Sequence, residues 1–318
     1  MHTRFRFRLI AAAAALCLLP VTSVMAQDAK PKVALVMKSL ANEFFLTMEN
    51  GAKAHQKAHA AEYVLITNGI KDETDTLSQI KLVEQMIVSR VNVLVIAPAD
   101  SKALVPVLKK AVDAGILVVN IDNKLDDAAL KEKGFTVPFV GPDNRKGAKL
   151  AGDFLAQQLK KGDQVGIIEG VSTTYNAQQR TLGFKDAMTA AGATVIGVQS
   201  GEWEIAPGNK VASAMLTANP NITALLCGND NMAIGAISAI KAAGKTGKVR
   251  VIGYDNINAI QPMLADGRVL ATVDQFGSQQ AVFGIETVLK ALAAKKTQAA
   301  FGGTVETKVL LVTKPAKS

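Results

Sequence analysis

The sequence predicts an α/β protein of two lobes, each a parallel β-sheet flanked by helices, and three observations carry that prediction. Short β-branched runs alternate with amphipathic helical segments along nearly the whole chain. Hydrophobic residues make up 49% of the composition and aromatics only 5%, so small and β-branched side chains dominate, which suits buried parallel strands under close-packed helices. Of 318 residues, the 26 of an amino-terminal leader leave 292, too many for one ordinary core and about right for two.

The leader comes first. Arg4, Arg6 and Arg8 precede an apolar run from Leu9 to Pro20, and Val24-Met25-Ala26 follows, the pattern of a secretory signal peptide cleaved after Ala26. The run is well short of the roughly 20 residues a spanning helix needs. Leu16 stands before Cys17 where lipoprotein processing requires a small residue. Export to the periplasm is therefore expected. Loss of three arginines and no acidic residue lowers the formal charge from +9 to +6. Lysines are dispersed without a basic, aromatic-interleaved cluster, which argues against a nucleic-acid surface. Cys227 remains as the lone cysteine, so no intramolecular disulfide forms; after the apolar run Ile222 to Leu226 it is expected to pack in a core.

In the mature chain, strands are expected at Lys32 to Met37, Tyr63 to Thr67, Val93 to Ala97, Leu117 to Ile121, Gln164 to Ile168, Thr194 to Val198, Ala224 to Cys227, Val249 to Tyr254 and Val269 to Val273, with helices between them. Asp72 to Ser89 shows the helical period, with Leu77, Ile80, Val83 and Ile87 on one face. Such alternation gives parallel sheets with crossover helices.

Open parallel sheets bind ligands outside the carboxyl ends of their strands. The segments that follow the strands here are strongly polar: Lys38 to Phe45, Asn68-Gly69, Pro98 to Asp100, Asp122-Asn123, Glu169 to Tyr175, Glu202-Trp203, Gly228 to Asn231, Asp255-Asn256 and Asp274-Gln275. Carboxylates accept from hydroxyls, and amides both donate and accept. The same residue types also cap helices and make turns, which is the competing account of any single one. Phe44, Phe45 and Trp203 stand in these loops although aromatics are scarce elsewhere, and such rings stack on the C–H faces of a sugar. Apolar rings with convergent amides describe a pocket for a small sugar or polyol.

Enzyme motifs fail on inspection, and neither a catalytic residue, a metal ligand nor a cofactor is assigned. His55 and His59 lie four apart, but Gln56 replaces the glutamate of a zinc-protease helix and no third ligand is evident, so they are expected at the surface. Gly244-Lys245-Thr246 imitates the end of a phosphate loop, yet it closes a helix where that motif opens one. No G-x-S-x-G elbow occurs.

Several stretches give the chain a family resemblance: VALVMKSLANEFF, VLVIAPADSKALVPVLKKAVDAGILVVNIDN, GPDNRKGAKLAGDFL, AQQRTLGFKDAM, LLCGNDNMAIGAISAI, VIGYDN and LATVDQ. In order and spacing they resemble the periplasmic sugar-binding proteins of ABC importers, ribose-binding-protein type, over essentially the whole mature length. The resemblance implies the type I periplasmic binding protein fold, two Rossmann-like lobes joined by a three-segment hinge, with one lobe at 27–141 and 277–306 and the other at 142–276 and 307–318. It implies ligand contacts from Asn42, Phe44, Phe45, Asp122, Trp203, Asn229, Asp255 and Gln275; Tyr175, from its strand-end loop, and Arg180, which matches a more structural family arginine, complete the expected set. Lys38 replaces a small polar residue, while Asn123 and Gln178 stand where family arginines are found, and Ala97 where ribose binders carry an asparagine. These departures point away from ribose toward another sugar or a polyol. Implied partners are an inner-membrane ABC permease with its ATPase, and a chemoreceptor if the clamp also serves sensing; a monomer is expected. The effector domains of LacI-type regulators share the fold, but they carry an amino-terminal DNA-binding motif where this sequence has an export signal.

Overall fold

The computed structural model describes residues 30–314, so the leader expected at residues 1–26 lies outside the described residues. The first lobe is built in chain order from β1 (Lys32–Ser39), α1 (Glu43–Ala58), β2 (Val64–Ile70), α2 (Thr76–Val88), β3 (Val93–Ile96), α3 (Val105–Asp113), β4 (Leu117–Ile121), α4 (Asp127–Glu132) and β5 (Phe139–Pro142). The second follows with α5 (Asn144–Ala156), β6 (Gln164–Glu169), α6 (Tyr175–Ala191), β7 (Thr194–Ser200), α7 (Ile205–Ala218), β8 (Ile222–Cys227), α8 (Asp230–Ala242), β9 (Arg250–Ile252), α9 (Gln261–Ala265) and β10 (Ala271–Asp274). The chain then returns to the first lobe with α10 (Gly277–Ala293) and β11 (Thr304–Thr307), and crosses once more to add β12 (Leu310–Thr313) to the second.

Each lobe holds a six-stranded sheet, ordered β11-β5-β4-β3-β1-β2 and β12-β10-β9-β8-β6-β7, so the two run in the same pattern. All pairings are parallel except β10 with β12. Strands β3 and β4 are buried on both faces, which is why they read as continuous apolar runs. The order reverses beside β1 and β6, and at such switch points the loops after the strands part to leave a crevice. Residues that follow strands of both sheets line one cavity between the lobes. The second crossing turns at Phe276, whose φ of 55° is left-handed and strained for a bulky side chain.

Three departures from the sequence reading stand out. Strand β2 runs to Ile70 rather than Thr67, which moves its loop to Lys71 and beyond. Helix α2 forms where the periodicity places it but is rotated: Leu77 is 74% exposed, and the buried residues are Gln79, Val83 and Met86. Past the last paired residues of β1 and β3, the Met37 and Ala97 carbonyls and the Ala99 N–H need partners. Gln79 donates to both carbonyls, at 3.1 and 2.9 Å, and accepts from Ala99 N at 2.7 Å. Leaving such groups unmet costs about 1–3 kcal/mol each. Burying one leucine gains only about 1.5–3 kcal/mol, so the glutamine takes the inward position. Strand β5 was not among the expected strands; it is four residues long and ends in Gly141-Pro142, too short to show a period. Cys227 is fully buried at the end of β8, and burial pushes its thiol pKa up.

Candidate functional site

A small, tightly closed cavity lies between the lobes, lined by Lys38, Asn42, Phe44, Phe45, Glu73, Asp122, Asn176, Arg180, Trp203, Asn229, Asp255 and Gln275. Every lining residue is buried.

The carboxylates stand where strands β4 and β9 end. Asp122 has φ 62° and Asp255 φ 111°, conformations that short polar side chains tolerate better than most. Trp203, at φ 66°, has no such excuse and is held there by its surroundings. Its main-chain carbonyl accepts from Asn229 Nδ2 at 3.0 Å and Asn231 Nδ2 at 3.4 Å. Its indole lies so close to Gly170 that a Cβ there would meet the ring at 1.9 Å. Gly277 likewise makes room for Phe44, 2.6 Å from where its Cβ would be. Phe44 and Phe45 meet edge to face, centroids 5.1 Å apart.

The cavity amides are largely committed to orienting other groups. Asn42 caps α1 through Phe44 N and donates to Glu73 Oε1 at 3.0 Å. Asn229 caps α8 through Met232 N, and Gln275 donates to Asp255 Oδ1 at 2.7 Å. Arg180 donates to Asn144 Oδ1 at 2.8 Å and to the Gly228 carbonyl at 2.9 Å, lies 3.5 Å from Asp255, and stacks 3.7 Å from the Tyr254 ring. Asp122 Oδ2 and Trp203 Nε1, by contrast, are buried with no protein partner. A buried unmet acceptor and donor beside aromatic faces suit a ligand carrying hydroxyls.

Among the described residues, five main-chain N–H groups away from the hinge donate to side chains of the other lobe, so this is a closed arrangement. Helix α6 has no side-chain cap of its own; its first N–H groups, of Tyr175 and Asn176, donate to Ser101 Oγ at 2.9 Å and Asn123 Oδ1 at 3.3 Å in the other lobe. Glu43 receives Asn258 N at 2.9 Å and Ala259 N at 3.1 Å. Glu73 N donates to Glu204 Oε1 at 3.4 Å.

Ten of the thirteen residues singled out from sequence line the cavity, and three do not. Asn123 is fully buried and committed to the cross-lobe bond and to the Pro98 carbonyl. Tyr175 faces a surface groove with Lys124, 5.8 Å from its ring. Gln178 is exposed and donates to the Ser172 carbonyl. Two lining residues, Glu73 and Asn176, went unread. Glu73 follows the three strand residues that sequence periodicity left out of β2, and Asn176 is one residue past the loop taken to end at Tyr175. Outside the cavity, His55 and His59 stack at 4.3 Å, and His55 also meets the Tyr63 hydroxyl at 2.9 Å, so it is more enclosed than expected. Among the described residues no group of three or more His, Cys, Asp or Glu is placed to hold a metal.

Burial pushes the Asp255 pKa up to about 7, opposed by Arg180, and raises Asp122 against Lys38 and Arg180 and Glu73 against Lys38. Opening the cleft to water relieves that burial, so the closed form holds these protons more tightly than the open one. Closure then takes up protons between the ordinary carboxylate range and about pH 7, and ligand-free closing is favoured as pH falls through that window. The expected result is a shrinking radius of gyration by small-angle scattering from about pH 8 to about pH 5, by up to tenfold in the closing equilibrium per proton and pH unit. Asp255→Asn should flatten the curve; a pH-independent radius in the unaltered protein would refute the assignment.

The model of the family described as "Periplasmic binding protein domain" matches residues 33–296. A D-ribose/D-allose-binding protein of Pseudomonas aeruginosa is 67% identical over 298 residues, 93% of this chain and 93% of that protein. The D-allose-binding periplasmic protein of Escherichia coli is 33% identical over 266 residues, 83% and 85% of the two chains. Among solved structures, an ABC transporter solute binding protein from Burkholderia multivorans, with an unknown ligand, is 72% identical with a TM-score of 0.88, covering 90% of this chain and all of that one. One from Actinobacillus succinogenes with bound D-allose is 34% identical, TM-score 0.81, covering 90% and 98%.

Proposed function

We propose, for a chain that belongs to the periplasmic binding protein family, that its cargo is a single aldose of the ribose and allose configuration. The protein is a substrate-binding component of an ABC importer that captures a monosaccharide or polyol and is not an enzyme. The observation that carries the finer reading is that two buried groups lining the closed cavity, Asp122 Oδ2 and Trp203 Nε1, have neither a hydrogen-bond partner nor an ion pair in the protein. The 67% identical relative named for ribose and allose supports it. Those two sugars share a ring, since allopyranose is ribopyranose with one added hydroxymethyl. The sequence departures that point away from ribose lose much of their force. A guanidinium does reach the cavity, from Arg180 rather than position 178, and Asn123 stands outside it.

Capture proceeds by hinged closure, the ligand favouring the closed form because only there do both lobes touch it. The lobes in this reading are 27–141 with 277–306 and 142–276 with 307–318. The mature chain begins after Ala26 and works as a periplasmic monomer. Presentation of the closed form to a chemoreceptor uses the same surface logic and is the second role to examine.

Thermal melts with D-ribose and D-allose test the cargo. Ligand at about 100 times its dissociation constant adds about 2.7 kcal/mol, roughly 5–10 °C for a protein of this size. Trp203, the one tryptophan of the sequence, should change its fluorescence in parallel. A response to inositols or polyols with none to either aldose would overturn the reading.

A further inference from the structure

Glu73 is fully buried, and neither its position nor its partners follow from a need to pack. Its Oε2 lies 3.1 Å from Lys38 Nζ, an ion pair by distance that lacks hydrogen-bond geometry, and its Oε1 accepts from Asn42 Nδ2 at 3.0 Å. The ammonium it holds sits 5.2 Å from the Phe45 ring and 5.3 Å from Trp203, inside the cavity wall. A buried ammonium without a carboxylate beside it would be an anion site, since desolvation leaves its charge to be met by the ligand. Here the charge is already met. Arg180 is matched in turn by Asp255 at 3.5 Å. Asp122 is then the one charge of the cavity with no close partner, so three carboxylates face two cations.

We infer that Glu73 sets the charge class of the cargo: by pairing with Lys38 in the cavity wall it makes the site one for neutral sugars and closes it to sugar acids. The inference rests on the sugar reading above and specifies it. Glu73 acts through Lys38 and is a positioning residue. With its carboxylate in place the unmatched Asp122 welcomes hydroxyl donors and repels a ligand carboxylate. Without it, Lys38 turns into a free cation beside two aromatic rings, and a uronate finds a partner.

Calorimetric titration of E73Q, K38M and K38M/E73Q with D-ribose, D-allose, D-glucuronate and D-galacturonate tests this. The unaltered protein should take the aldoses and refuse the uronates. E73Q should lose about tenfold or more in aldose affinity and shift the uronate-to-aldose affinity ratio by about a hundredfold. K38M/E73Q, a neutral pair of similar shape, should recover aldose binding and refuse uronates again, the coupling expected of matched charges. An unchanged ratio in E73Q overturns the inference even if its melting temperature falls, because a purely structural role moves stability and not selectivity. So does a double variant no better than E73Q. Should E73Q not fold, the double variant decides alone, since aldose binding with uronates refused is what charge matching requires. If the unaltered protein takes a neutral polyol instead of either aldose, the cargo reading fails by itself, and the ratio is read against that polyol. If it takes uronates, both fail.

Discussion

Asp122→Ala should abolish capture while leaving the scaffold standing. The carboxylate is buried at the end of β4, its Oδ2 has no protein partner, and two charge-assisted bonds to ligand hydroxyls contribute about 1.5–3 kcal/mol each. Losing both costs about 3–6 kcal/mol, or about 10²- to 10⁴-fold in affinity at 1.4 kcal/mol per decade. Alanine tolerates the φ of 62° poorly, so Asp122→Asn is the companion variant: asparagine accepts that backbone and keeps the shape while removing the charge. It should lose about 10- to 100-fold by calorimetry with an unaltered melting temperature. Unaltered affinity in both variants would remove Asp122 from the site. Weak binding together with a low melting temperature in Asp122→Asn would make it a scaffold residue.

Arg180→Met should be the most damaging single change to stability. It removes the cation that opposes the effect of burial on Asp255, so that carboxyl takes up a proton, and it removes the donors to Asn144 and Gly228 and the cation over Tyr254. Breaking one side of a buried ion pair costs about 3–5 kcal/mol, which urea unfolding would show as a shifted midpoint. Arg180→Lys should rescue little, because an ammonium cannot reach Asn144, Gly228 and Asp255 as a planar fork does. A lysine variant as stable as the parent would refute the role given to the guanidinium.

The alternation of strand and helix was legible because apolar periodicity records burial, and burial decides both. What periodicity could not record was polar burial. Gln79 reads as a solvent residue and is fully enclosed, since its amide meets three main-chain groups that apolar counting never sees. The same blindness hid Glu73: β2 runs to Ile70 and α2 begins only at Thr76, so residue 73, within the stretch expected to be helical, lies in a strand-end loop. Asp122, Asp255 and Trp203 were legible as loop residues, but their left-handed backbones were not, because nothing local in the sequence demands them. Asn123 is expected at the ligand because it follows a strand end and stands where the family carries an arginine. One residue along such a turn faces the other lobe, which only the closed geometry reveals.

The cross-lobe bonds draw on donors that water serves when the lobes part, so each adds only about 0.5–1.5 kcal/mol to the closed form. A fastening of that strength holds without locking, and its Ser101 and Glu43 acceptors stand outside the cavity lining. Changes at Ser101 or Glu43 would therefore lengthen or shorten the residence time of every cargo by the same factor and leave the ranking among cargoes alone. Tenacity and taste sit on different residues, and evolution can adjust the first to the needs of a transporter without retraining the second.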